Sequence, residues 1–203
     1  MYPIARLDAL APPGLGSRGV DARRPPSRAL EALIRAGARR GEDPPTAALI
    51  ARLGAARRRR RFTRGEFLAA CRWKSPRAAR RYASNSPGRI ARVSRAALAT
   101  RSERRRLALL TGLEGVSVPT ASALLTLTDP RRYGVLDIRA WQMLFRMGEV
   151  TANRRGRGFT PAQWLEYLAR LRRLARRLGL TARAVELALF RAHRRVQRGR
   201  LYD

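Results

Sequence analysis

The chain is short of cysteine, histidine, lysine, acidic residues and long apolar runs, and each shortage removes a class of chemistry. Cys71 stands alone, so no internal disulfide, four-cysteine iron–sulfur cluster or cysteine-rich zinc site can form within the chain. His193, set among Arg191, Arg194 and Arg195, reads as a surface residue with no partner for metal or triad chemistry. No metal and no other cofactor is expected. No stretch approaches the roughly 18 apolar residues of a membrane span. Arg23-Arg24 is followed by Pro25-Pro26 instead of the apolar segment of an export signal. The expectation is a soluble, cytoplasmic protein with no membrane partner. A sustained period-two pattern is missing too, which leaves no sheet.

What is abundant is arginine. The 203 residues hold 45 Lys+Arg against 14 Asp+Glu, a formal charge of +31, and Lys74 is the sole lysine among them. Abundant alanine beside the arginine fits codon bias in a GC-rich genome, yet the acids are not enriched in parallel. So large a charge repels itself in a compact chain unless a polyanion screens it, and nucleic acid is the natural partner. The expected partner is double-stranded DNA, met by a monomer associated with the nucleoid.

Residues 1–27 mix five prolines with Gly14, Gly16 and Gly19, a composition that sustains no helix, and are expected to be a flexible arm. Residues 28–203 are expected to form one all-helical domain. Leu30, Leu33 and Ile34 fall at helical spacing, and a short helix is expected around 47–53. The run Arg57–Arg61 is either a solvated linker or a phosphate-contacting strip. Thr63, Ser75-Pro76, Ser86-Pro87, Ser102, Thr160-Pro161 and Thr181 read as helix starts. Gly179 reads as the stop of the long helix carrying Trp164, Leu168, Leu171 and Leu178.

The stretch 110–144, LTGLEGVSVPTASALLTLTDPRRYGVLDIRAWQML, is the most informative. Two helices meet through Gly112-Leu113-Glu114-Gly115-Val116-Ser117, a link short enough only for a tight hairpin, and the second starts at Pro119 or Thr120. Such a hairpin offers backbone N–H groups at a helix N-terminus to a phosphate, which positions a strand without reading its bases.

Residues 113–121, Leu-Glu-Gly-Val-Ser-Val-Pro-Thr-Ala, resemble the Leu-Pro-Gly-Val-Gly-x-x-Thr-Ala hairpin of the helix-hairpin-helix DNA glycosylase superfamily, which includes adenine DNA glycosylase and endonuclease III. The likeness continues through the apolar helix 121–127, the loop of Pro130 and Tyr133, and Val135-Leu136-Asp137, about 30 residues in all. Glu114 and Ser117 depart from the pattern. The resemblance implies a multi-helix, glycosylase-like fold and base excision, with the target nucleotide turned out of the duplex. It assigns the essential carboxylate to Asp137 and backbone binding to Gly112, Gly115, Ser117 and Thr120. Asp137 also reads as a helix N-cap between Leu136 and Trp141, and both roles are compatible. Relatives that also cut the strand carry a lysine in the second hairpin helix; the matching residue here is Pro119, so base removal without lyase activity is expected.

Trp73, Lys74, Arg77 and Tyr82 offer aromatic planes and cations for a base pocket or DNA contact, although Trp73 also fits a core. Asn85 fits either the gap left by a flipped base or a helix C-cap. The resulting expectation is a monofunctional DNA N-glycosylase; the alternative is a non-catalytic helix-hairpin-helix module that binds nucleic acid.

Overall fold

A computed structural model describes residues 26–197. Except for Pro26 and Ser27, the expected arm lies outside the described residues, as do residues 198–203. The described chain is all-α, with ten α-helices and no strand: α1 Arg28–Ala38, α2 Pro44–Arg59, α3 Arg64–Lys74, α4 Ala79–Ala83, α5 Pro87–Ala99, α6 Glu103–Thr111, α7 Val118–Thr128, α8 Ile138–Arg146, α9 Pro161–Leu178 and α10 Ala182–Val196.

The capping pattern carries most of this order. Thr63 and Thr160 complete capping boxes with Glu66 and Gln163, and Ser86, Ser102 and Thr181 accept the backbone N–H three residues on. Each satisfies a donor that the first helical turn cannot satisfy itself, at about 1 kcal/mol apiece. Two starts differ from expectation. Asp43 caps α2, with Pro44 and Pro45 as its first residues, and the helix runs to Arg59 because prolines are tolerated in a first turn and arginine is a good helix former. The Arg57–Arg61 run is therefore mostly helix, not linker. At Ser75-Pro76 the serine makes no cap bond, and a 3-10 turn, Pro76–Ala78, precedes the short α4.

Helix α7 is the centre of the molecule. Every residue from Thr120 to Thr128 is buried, the signature of a helix surrounded on all sides. Leu124, Leu125 and Leu127 each contribute about 2 kcal/mol by leaving water. Its hydroxyls are satisfied within the helix: Thr126 donates to the Ser122 carbonyl at 2.8 Å, Thr128 to that of Leu124 at 2.6 Å and Ser122 to that of Pro119 at 2.7 Å. Helices α2, α3 and α6 pack on α7, and α10 joins α1, α8 and α9. The sole histidine lies in that second group: His193 is fully buried, which corrects the surface reading. Position 193 lies on the packed face of α10, whereas its neighbours Arg194 and Arg195 are exposed.

Candidate active site

Between α7 and α8 the chain runs extended through Tyr133, Gly134, Val135 and Leu136, and three helices grip it. The Leu136 N–H donates to Ser122 Oγ of α7 at 2.8 Å. The Val135 carbonyl accepts from Tyr167 Oη of α9 at 2.9 Å. The Val135 N–H donates to Glu186 Oε2 of α10 at 3.3 Å. Gly134 allows this closeness, because a Cβ there would stand 2.4 Å from Leu171 Cδ1 and 2.8 Å from Glu186 Cβ. Burial drives the Glu186 carboxyl above the usual carboxylate range, against the pull of Arg183. Burial likewise drives the Tyr167 hydroxyl well up, reinforced by Glu186 and Asp137.

The clamped segment delivers Asp137 to the start of α8. Its Oδ1 accepts the Arg139 N–H at 2.9 Å, so the N-cap reading holds. Its Oδ2 accepts from Lys74 Nζ, at the end of α3, at 2.8 Å. The two side chains retain 21% and 17% of their exposure, so the pair is not sealed from solvent. The arrangement is a fixed carboxylate with one oxygen spent on its own helix and the other shared with a primary amine. Beyond it, Arg139 donates to His193 Nδ1 at 3.2 Å and to the Gln197 carbonyl at 2.9 Å. A guanidinium only donates, so the neutral ring carries its proton on Nε2, an atom buried without a partner. Burial first, then Arg146 and Arg139, push the His193 ring down to about 4.

The hairpin forms as expected, and its residues divide. Ser117 is exposed and caps α7 by accepting the Thr120 N–H at 3.3 Å. With φ −80° and ψ 169°, it has no need of the glycine found there in the family pattern. The left-handed residue is Gly115, φ +79°, where a Cβ would stand 2.8 Å from Arg81 Cβ and 3.0 Å from the Tyr82 ring. Gly115 therefore seats the hairpin on α4. Thr120 is only 1% exposed and bonds Ser117 at 3.0 Å, which removes it from the DNA-facing set. At the α6 C-cap, the Gly112 carbonyl accepts from Arg89 at 2.7 Å. Glu114 is exposed and lies 3.7 Å from Arg89.

Two further candidates are corrected. Tyr82 is buried edge-on to Phe67, ring centroids 6.4 Å apart, and offers no face to a base. Asn85 is also buried: its Oδ1 accepts the Glu114 N–H at 2.9 Å and its Nδ2 donates to the carbonyls of Tyr82, Glu114 and Arg81 at 3.1–3.2 Å. It is a staple between α4 and the hairpin. Trp73 is half-buried, donating from Nε1 to Thr46 at 3.1 Å with Arg183 over its ring, the core packing the sequence allowed. Arg77 is exposed, and its side chain has no ion-pair or hydrogen-bond partner among the described residues.

Sequence reasoning missed the pairing of Lys74 with Asp137 and the clamp of Ser122, Tyr167 and Glu186. One signal was present for the first: Lys74 is the sole lysine in a chain whose other basic residues are arginine, and the two side chains are not interchangeable. Among the described residues no group of three or more His, Cys, Asp or Glu is placed to hold a metal ion, and no helix is long and apolar enough to cross a membrane. Cys71 is buried, and burial raises its thiol far above the ordinary range. No protein-family model, curated protein or solved structure matches this chain.

Proposed function

We propose that this chain is a DNA N-glycosylase that turns one nucleotide out of a duplex and breaks its glycosidic bond at Asp137. The observation that carries the reading is the Lys74–Asp137 contact of 2.8 Å, partly open and beside a helix-hairpin-helix in a chain of charge +31. Departure of a base leaves a sugar of oxocarbenium character, and a fixed carboxylate stabilises that charge and takes a proton from the attacking water. Fixation matters because a carboxylate that needs no rearrangement is stronger at the moment of reaction. Here the clamp on Val135 and Leu136 provides it. Lys74 holds the second carboxylate oxygen and adds a positive charge near the phosphates that flank the target.

Lys74 also supports a second route. In the ion pair the amine is an ammonium, and it becomes a nucleophile once its proton passes to Asp137. Its nitrogen then bonds to C1′ while the glycosidic C–N bond breaks and the base leaves with the electron pair. The nitrogen gives a proton to O4′ as the C1′–O4′ bond breaks and the ring opens to a protonated imine, and loss of a C2′ proton to solvent then expels the 3′ phosphate with the C3′–O electron pair. Pro119 supplies no amine for this chemistry; Lys74 has one.

The test is a screen of the purified protein against duplexes that each hold one damaged or modified base, read as alkali-labile breaks. Excision from one of them, lost in Asp137→Asn with binding retained, supports the enzyme. If no duplex yields an abasic site and Asp137→Asn binds DNA as the wild type does, the protein is a non-catalytic nucleic-acid-binding module.

A further inference from the structure

Beyond the Asp137 pair, we infer that a separate arginine-walled cavity binds a nucleotide through its phosphate. The cavity is about 680 Å³ and includes neither Lys74 nor Asp137 in its walls. It opens where the C-terminal end of α2 meets the C-terminal end of α7 and the loop beyond it. A cavity of this size admits a whole nucleotide and no duplex.

The walls are six arginines, Arg57, Arg58, Arg60, Arg106, Arg131 and Arg132, against a single carboxylate, Asp129. Half of those arginines are already engaged. Arg106 and Arg132 pair with Glu103, and Arg57 lies 3.4 Å from Asp129. Arg58, Arg60 and Arg131 are exposed, and their side chains have no ion-pair or hydrogen-bond partner among the described residues. Three unpaired guanidiniums converging on one concavity repel one another, and an anion between them relieves that repulsion. Guanidinium is also the group that grips a phosphate with paired N–H donors.

A structural explanation covers only part of this set. Basic residues favour the last turn of a helix, which accounts for Arg57, Arg58 and Arg59 in α2. It does not account for Arg131, which comes from another element. Nor does it account for Arg60, which holds φ 56° and ψ 29°, a left-handed conformation that glycine adopts without strain and arginine does not. Arg59, in the same run, turns away to Glu66 at 2.6 Å and is absent from the walls. The lining also includes Ile50, Leu98 and Leu125, apolar side chains suited to the face of a base. Three residues of the Arg57–Arg61 run, Arg57, Arg58 and Arg60, thus line a cavity.

The same chemistry arrives from two sources, a free nucleotide or a nucleotide within a single strand. The experiment uses Asp137→Asn protein, so that excision plays no part, and a fluorescent single-stranded 12-mer as probe. Binding is followed by anisotropy at low salt and challenged with deoxyadenosine monophosphate or with deoxyadenosine. The comparison variants, also carrying Asp137→Asn, are Arg58→Ala with Arg131→Ala, which removes two exposed and unpartnered side chains, and Arg60→Gly, which relieves the backbone. Binding is expected to fall about tenfold or more in the double variant, since each lost arginine removes a phosphate contact. Arg60→Gly is expected to weaken binding with an unchanged or raised Tm. Displacement by the monophosphate and not by the nucleoside identifies the free nucleotide as the ligand. Failure of both to displace, with the loss in the variants intact, identifies the strand. Wild-type affinity in the double variant and in Arg60→Gly overturns the site, whatever becomes of the excision reading.

Discussion

Lys74 and Asp137 are 63 positions apart in sequence and 2.8 Å apart in space. The amine ends α3 and the carboxylate begins α8, and α3 packs on α7, the helix that also holds the segment leading to Asp137 through Ser122. Both partners are therefore positioned through the second hairpin helix, α3 by packing on it and the segment before Asp137 by a hydrogen bond to it.

From this pairing, Asp137→Asn is expected to lower excision by about a hundred- to a thousandfold, the range for losing one preorganised electrostatic group. Lys74→Gln should lower it by about a hundredfold or more, with DNA binding reduced far less. Treatment with borohydride during turnover separates the two routes. Water attack leaves protein and DNA unlinked, whereas amine attack gives a covalent product that Lys74→Gln cannot form. Full activity in Lys74→Gln would remove the amine from both.

Gly134→Ala tests the clamp. The added methyl meets Leu171 at 2.4 Å, Glu186 Cβ at 2.8 Å and the Ala182 carbonyl at 3.1 Å, so the extended segment must move away from α9 and α10. Overpacking of this kind costs about 1–3 kcal/mol. The expected result is a lower urea midpoint, and excision should fall as well because the segment carries Asp137. An unchanged midpoint means that the close approach has slack and the clamp is not what fixes the carboxylate.

How much of this was legible in the sequence depends on the range of the interaction. Caps such as Thr63 and Ser86 are local, decided by a side chain and a backbone group three residues apart, and the sequence shows them. The hairpin and the N-cap role of Asp137 were legible for the same reason. The exclusion of Tyr82 and Asn85 was not. Their burial depends on the hairpin folding back on α4 from about thirty residues away, and in isolation both residues look equally fit to touch DNA. His193 misled in a similar way, because arginine neighbours in sequence say nothing about which helix packs over a position.

Asn85→Ala follows from that folding back. The side chain answers the Glu114 N–H at 2.9 Å and its carbonyl at 3.1 Å, and alanine answers neither. Leaving part-buried polar groups unpaired costs about 1–3 kcal/mol. A chemical melt should show that loss, and DNA affinity should drop as the hairpin loosens. A residue that served only to fill the space of a flipped base would instead change excision and leave the melt untouched.

His193 gives the chain a pH dependence that can be assigned to one residue, because it is the only histidine. Its ring is held neutral in the folded state, with its pKa lowered from 6.5 to about 4 by burial and by Arg146 and Arg139. The unfolded chain therefore binds more protons than the folded one between those values, so stability rises with pH across that window. The stabilisation from the neutral ring is complete above about pH 6.5 and is lost as pH falls toward 4. A tenfold weaker hold on the proton corresponds to about 1.4 kcal/mol, which sets an upper bound of about 3 kcal/mol on the whole effect. His193→Gln keeps a polar side chain but removes the titration. Unfolding by urea at pH 7.5 and at pH 4.5 should show a smaller acid-induced loss in the variant than in the wild type. The carboxylates titrate in both proteins, so the difference between the two losses belongs to position 193. Equal losses would mean that the ring picks up its proton as readily folded as unfolded, which its burial beside two arginines opposes.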